Sequence, residues 1–220
     1  MKALKSSVLK GKNLIGIDET NNGSNDFPLL ICGYLMMIYP GNHNGISEYE
    51  YKRSKAFNPE TSFEKVKKMS NYYLERHPDF YYATISNEDV VNNFTWKAFT
   101  HARAFSSIIL KFVQTKKLSL EDTFVAVHYV GAREFNARVL QDTSKLLDSM
   151  EVRIPIFASK KALGKYVPVK KAHWVGHYLA ALKIRGNMKG WPHEGRHTSL
   201  DASHTYLKYC REKQLEELRV

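Results

Sequence analysis

Apolar residues along this chain fall into two rhythms. One is the short, nearly unbroken run. Asn13-Leu14-Ile15-Gly16-Ile17 leads into Asp18 and Glu19, Leu29 to Tyr39 is almost continuously apolar, and Phe80 to Ile85 and Thr123 to Val130 repeat the pattern. Runs of that length bounded by turn residues are strands, and the longest suits the middle of a sheet. The other rhythm is helical. Val91, Phe94, Ala98, Ala102, Phe105, Ile109 and Phe112 recur at the spacing of one helix face, behind Ser86 and Asp89 at the spacing of a helix start. Helical composition also marks Thr61 to Glu75, closed by Pro78, and then Arg133 to Met150 and Val169 to Ile184. Val152 to Ala158 is a short strand whose Pro155 suits a sheet edge. Gly186 to His197 is a loop, and Thr198 with Asp201 opens a last helix. Strands come first and then alternate with helices, which predicts an α/β sheet with helices on its faces.

Composition bounds the reading. At 220 residues, 43% hydrophobic and 25% charged, the chain is one large domain or a domain with a small appendage. We expect the division at 1–185 and 186–220. The formal charge of +11 is a surplus that attracts polyanions, nucleic acid or an anionic membrane surface. Cys32 and Cys210 are far apart and form no CxxC pair, so a cysteine zinc site and a disulfide framework are not expected. A reducing cytoplasm fits best. Met1 to Ser7 is basic without an apolar core, so no signal peptide is expected, and no run approaches membrane-spanning length.

The chemistry concentrates where the first strand breaks into Asp18-Glu19-Thr20-Asn21-Asn22-Gly23. A carboxylate at the end of a buried strand is costly unless a cation or hydrogen-bond donors compensate it. Two in a row point to a metal or a general acid and base; an ordinary turn accounts for them as well.

Further segments carry a resemblance. Arg53-Ser54-Lys55, Ser86-Asn87-Glu88-Asp89, Lys161-Ala162-Leu163-Gly164-Lys165-Tyr166 and Lys189-Gly190-Trp191-Pro192 follow in that order. With Asp18 to Gly23 they resemble the motifs of ribonuclease HII, the type 2 ribonuclease H. The resemblance implies a ribonuclease-H-like mixed sheet flanked by helices, with a C-terminal helical extension. It implies hydrolysis beside a ribonucleotide in duplex nucleic acid, an RNA/DNA hybrid among them, using magnesium or manganese held by four carboxylates. Carried over, Asp18 and Glu19 match the first two metal ligands. His128 or Val130 stands where the third belongs, and Leu163 where the fourth belongs.

The resemblance places Asn21, Asn22 and Gly23 at the 2′-hydroxyl, and Ser54, Lys55, Lys165 and Tyr166 near phosphates. Trp191 replaces an aromatic that stacks on the sugar. His173 and His177 have the spacing of a helical metal pair and could join His128 in a softer zinc or manganese site, although hydrogen-bonded histidines explain them as well. The pairs Lys116-Lys117, Lys160-Lys161 and Lys170-Lys171 read as solvated faces. Three functions remain open: a divergent endoribonuclease completed by residues such as Asp142, Asp148 or His128, a catalytically inactive binding or assembly subunit, and a small-molecule or partner-binding domain. For the fold, Asp18 should end a central strand beside Phe124 to Val130, with the helix from Val169 packed nearby.

Overall fold

The computed structural model describes residues 8–20, 29–38, 68–73, 79–85, 94–129 and 131–187. Their strands are β1 (Asn13–Thr20), β2 (Leu29–Met37), β3 (Phe80–Ile85), β4 (Thr123–His128) and β5 (Ile156–Ser159). The helices are α1 (Phe94–Lys116), α2 (Arg133–Asp148), the single turn α3 (Ala162–Lys165) and α4 (Val167–Asn187), with a helical stretch at 68–73. The strands form one sheet in the order β3-β2-β1-β4-β5. β1 runs antiparallel to β2 and parallel to β4, so the sheet is mixed, as expected.

β1 is central because both of its edges are paired and both of its faces are covered. Its residues alternate between the two faces, as strand geometry requires. Ile15 and Ile17 enter the larger core, with Phe105, Ile109 and Phe112 of α1 and Val125 and Val127 of β4. On the other face lies α4, whose Trp174 and Val175 pack with Cys32 and Tyr34, while Val169 packs with Leu14. Burying each such side chain contributes about 1.5–3 kcal/mol, so the two cores fix the layers.

The close crossing of α4 over β1 depends on two glycines. A Cβ on Gly16 would overlap the backbone of Pro168 and Val169, and one on Gly176 would lie 3.0 Å from Thr20 Oγ1. Asp18 lies between these two crossings, on the same face.

Several boundaries move relative to expectation. β1 runs two residues past Asp18, since Glu19 pairs with Ile31 and Thr20 with Leu30. Asp18 is therefore inside the central strand and does not end it. β4 stops at His128, and β5 begins after Pro155, on the sheet edge where a proline costs no ladder bond. α4 continues to Asn187, past the loop expected from Gly186. The last helix expected from Thr198 and the start at Ser86 lie outside the described residues. No described helix is long and apolar enough to cross a membrane.

Candidate functional site

Asp18 is 2% exposed, and both of its carboxylate oxygens are engaged. Oδ1 accepts from His128 Nδ1 at 3.1 Å, and Oδ2 accepts from His173 Nδ1 at 2.6 Å. His128 arrives from β4 because the parallel register pairs Ile17 with Val127, putting the next residues side by side. His173 arrives from α4, held against the strand by the Gly16 crossing. The ring of His177 meets that of His173 edge-on at 4.4 Å between centroids.

Glu19 turns the other way. On the α1 side its Oε2 lies 3.0 Å from His101 Nε2, and His101 is fully buried. The Nδ1 of His101 lies 2.7 Å from the Lys97 carbonyl. A carbonyl only accepts, so Nδ1 carries a hydrogen. Nε2 faces a carboxylate, and that contact is a bond only if another proton lies between the two, on the ring or on Glu19.

The electrostatics follow from these contacts. Burial raises the carboxyl of Asp18, but the charge of His173 and the hydrogen bonds from His128 and His173 outweigh it and hold the group well below its usual range. Burial lowers His128, but the hydrogen bond and charge of Asp18, a bond to the Lys160 backbone and the charge of Glu19 leave it raised. His177 is pushed down to about 3, first by burial and then by the neighbouring His173, with Asp18 opposing. His177 is therefore a neutral imidazole at ordinary pH.

A pH profile of stability follows. The raised His128 contributes stability that is full below its ordinary 6.5 and lost as pH rises through its folded value. The lowered His177 costs stability progressively as pH falls from 6.5 towards 3. Asp18 adds a loss below 3.8, on the way down to its depressed value. Thermal melts across the pH range should show a maximum near 6.5. His128→Gln should flatten the alkaline limb and His177→Gln the acid limb. A profile unchanged by both substitutions would remove these rings from the account.

The expected metal ligands Asp18 and Glu19 sit as follows. Successive residues of a strand face opposite sides. Because β1 continues through Thr20, Asp18 meets His173 of α4 and Glu19 meets His101 of α1, so the two acids have their histidine partners on opposite sides of the sheet. Among the described residues, no group of three or more His, Cys, Asp and Glu is arranged to hold a metal. The softer site expected from His128, His173 and His177 assembles in space, but as a hydrogen-bonded cluster around Asp18. Among the described side chains, this hydrogen-bonded arrangement does not fit a divalent metal.

The other candidates separate. Asp142 is buried on α2 and tied to Arg138 at 2.7 Å, and the exposed Asp148 faces Arg153 at 3.9 Å. Neither replaces a ligand by these contacts. Leu163 packs in the apolar cluster with Phe157 and Tyr166. Tyr166, expected near a phosphate, is 3% exposed with its ring edge-on to Phe157, so it is a core residue. Lys165 is exposed beside it. Asn21, Asn22, Gly23, Ser54, Lys55 and Trp191 lie outside the described residues.

Lys170 and Lys171 are buried, at 5% and 0% exposure, and not solvated as expected; Lys171 sits over the Tyr73 ring at 5.6 Å. His101 was missed by the sequence reading, although a signal was present. It stands three residues after Ala98 and four before Phe105, on the buried stripe of α1. A groove of about 800 Å³ between β3, α1 and the end of α2 is lined by Ala83, Arg103, Lys111 and Leu146, and none of the acids or their histidines lines it.

No protein-family model and no curated protein matches the chain. Solved structures do. A Bst ribonuclease HIII in complex with Mn2+ is 19% identical with a TM-score of 0.55, over 82% of this chain and 56% of that one. The chain thus spans 56% of that ribonuclease HIII. The ribonuclease H2 of Pyrococcus horikoshii OT3 is 15% identical with a TM-score of 0.51, over 84% of this chain and 82% of that one. The ribonuclease HII of Archaeoglobus fulgidus, solved in complex with PCNA, is 16% identical with a TM-score of 0.58, over 94% and 90%. At such identities the likeness is one of architecture, and it agrees with the mixed five-stranded sheet and its flanking helices. This chain has the ribonuclease-H-like fold of ribonucleases HII and HIII.

Proposed function

We propose that this protein binds ribonucleotide-containing duplexes, RNA/DNA hybrid among them, and that its metal-dependent endoribonuclease activity is weak or absent. The observation that carries the second half is the placement of the acidic pair. Asp18 lies on the central strand of a type 2 ribonuclease H fold, yet it is shared between His128 and His173, and Glu19 is turned to the opposite face. Two-metal phosphodiester hydrolysis needs anionic oxygens converging from one side to hold two close cations. His128 supplies an imidazole where one such oxygen belongs, and Leu163 supplies none. This arrangement also favours the related reading of a binding or assembly subunit with no nuclease activity.

The binding half rests on the fold and on the surplus charge of +11. Exposed Lys165 is one phosphate contact in this reading, with Ser54 and Lys55; Asn21, Asn22, Gly23 and Trp191 form the recognition surface. The reading places this work in a reducing cytoplasm, as two widely separated cysteines without a CxxC pair suggest.

Binding to a labelled RNA/DNA hybrid should weaken steeply with salt, by close to one logarithmic slope unit per phosphate neutralised. Trp191→Ala should cost about 1–3 kcal/mol of affinity, the worth of one stacked aromatic. Affinity indifferent to salt and to Trp191 would reject the nucleic-acid reading. On a duplex with one embedded ribonucleotide, turnover should be slow or undetectable in magnesium and in manganese. Rapid turnover abolished by Asp18→Asn would show a live enzyme.

A further inference from the structure

We infer that histidine rings of this chain take the place that divalent cations would hold beside the acidic pair, so that the free protein neither needs nor takes a metal there. Burying a carboxylate without compensation is costly, and each acid here is compensated from within. Asp18 has one ring on each oxygen, His128 at 3.1 Å and His173 at 2.6 Å, and Glu19 has His101 at 3.0 Å. A cation arriving at Asp18 would find both oxygens already accepting from rings and would have to compete with those donors for the remaining lone pairs. It would also find only one of the two acids, since the other lies across the sheet.

The three rings come from β4, α1 and α4, so the compensation is built into the packing of the whole domain and does not belong to one loop. The corollary is a latent site. Taking the two rings off Asp18 should expose a carboxylate that has lost its hydrogen-bond donors and therefore attracts cations.

The inference concerns the free protein and stands apart from the nucleic-acid reading. The full chain, labelled at its histidine rings and without nucleic acid, would be titrated with Mn2+ and followed by paramagnetic broadening of the ring signals. No selective broadening of His101, His128 or His173 is expected, and a chelator should leave the melting temperature unchanged. The same titration of His128→Ala/His173→Ala, read by the loss of free Mn2+ signal, should show affinity at least about ten-fold tighter than the parent chain. Selective broadening in the parent would overturn the inference. So would a folded double variant that binds Mn2+ no better. If the double variant does not fold, the ring signals of the parent decide alone. Because the titration contains no hybrid, loss of hybrid binding leaves its result intact.

Discussion

Replacing Gly16 with alanine is expected to destabilise the protein by about 3 kcal/mol or more and to leave little of it folded at physiological temperature. The added methyl would overlap the amide nitrogen of Val169 and the carbonyl carbon of Pro168. These are backbone atoms at the start of α4, so no rotamer change relieves the clash. Either α4 lifts from the sheet or β1 shifts in register. Lifting α4 exposes Val169, Trp174 and Val175, all at most 1% exposed in the native fold. It also withdraws His173 from Asp18, two residues along the strand from Gly16. Stability and the site should therefore fail together. Gly164 is the control, since a Cβ there meets nothing within 4 Å and its backbone is not left-handed. Gly164→Ala should be neutral or stabilising by up to about 1 kcal/mol. Urea denaturation of both variants tests the pair, and a fully stable Gly16→Ala would mean that the helix does not cross the strand so closely.

Asp18→Ala should cost about 3–5 kcal/mol, the usual penalty for removing one member of a buried charged pair. The loss has a distinctive origin. His173 is mostly buried and His128 is about a quarter exposed in its side chain, so water replaces the missing acceptor poorly. Asp18→Asn should be nearly as damaging. Its amide oxygen can accept from one ring, but its NH2 then points hydrogens at the N–H of the other. The pH dependence separates this cause from simple loss of packing. The gap between parent and variant should be widest below pH 6.5, where the raised His128 is charged in both folded and unfolded chains. It should narrow as pH rises through the folded value of His128, and again in strong acid once Asp18 itself is protonated. Denaturation at several pH values measures it. A constant gap would assign the loss to shape alone.

These two residues also mark where sequence and tertiary structure divide the work. Local periodicity sufficed for the order of strands and helices, for the buried face of α1 from Ala98 to Phe112, and for the edge position of β5 behind Pro155. Such features are written in spacing because a helix or strand must turn its apolar side to the core wherever that core lies. The ribonuclease-HII-like motifs carried the architecture further, to a mixed sheet with Asp18 on its central strand. How far β1 runs beyond Asp18 was not legible. That is decided by the pairing of Glu19 and Thr20 with Ile31 and Leu30, residues brought alongside only by the sheet. Those two extra residues send Glu19 to the face opposite Asp18, so that each acid meets its own histidines. The ribonuclease-HII-like motifs brought His128 to Asp18 and helical spacing grouped His173 with it, but His101 and the hydrogen bonds themselves were out of reach, because His101, His128 and His173 lie 82, 110 and 155 residues from the acids they meet. No local pattern encodes a contact over such separations. Strand register places His128, the core-facing stripe of α1 places His101, and the close approach allowed by Gly16 places His173. The chain by itself determined that two acids lie on a central strand of this fold, and only the packing of three separate elements decided that histidines compensate them.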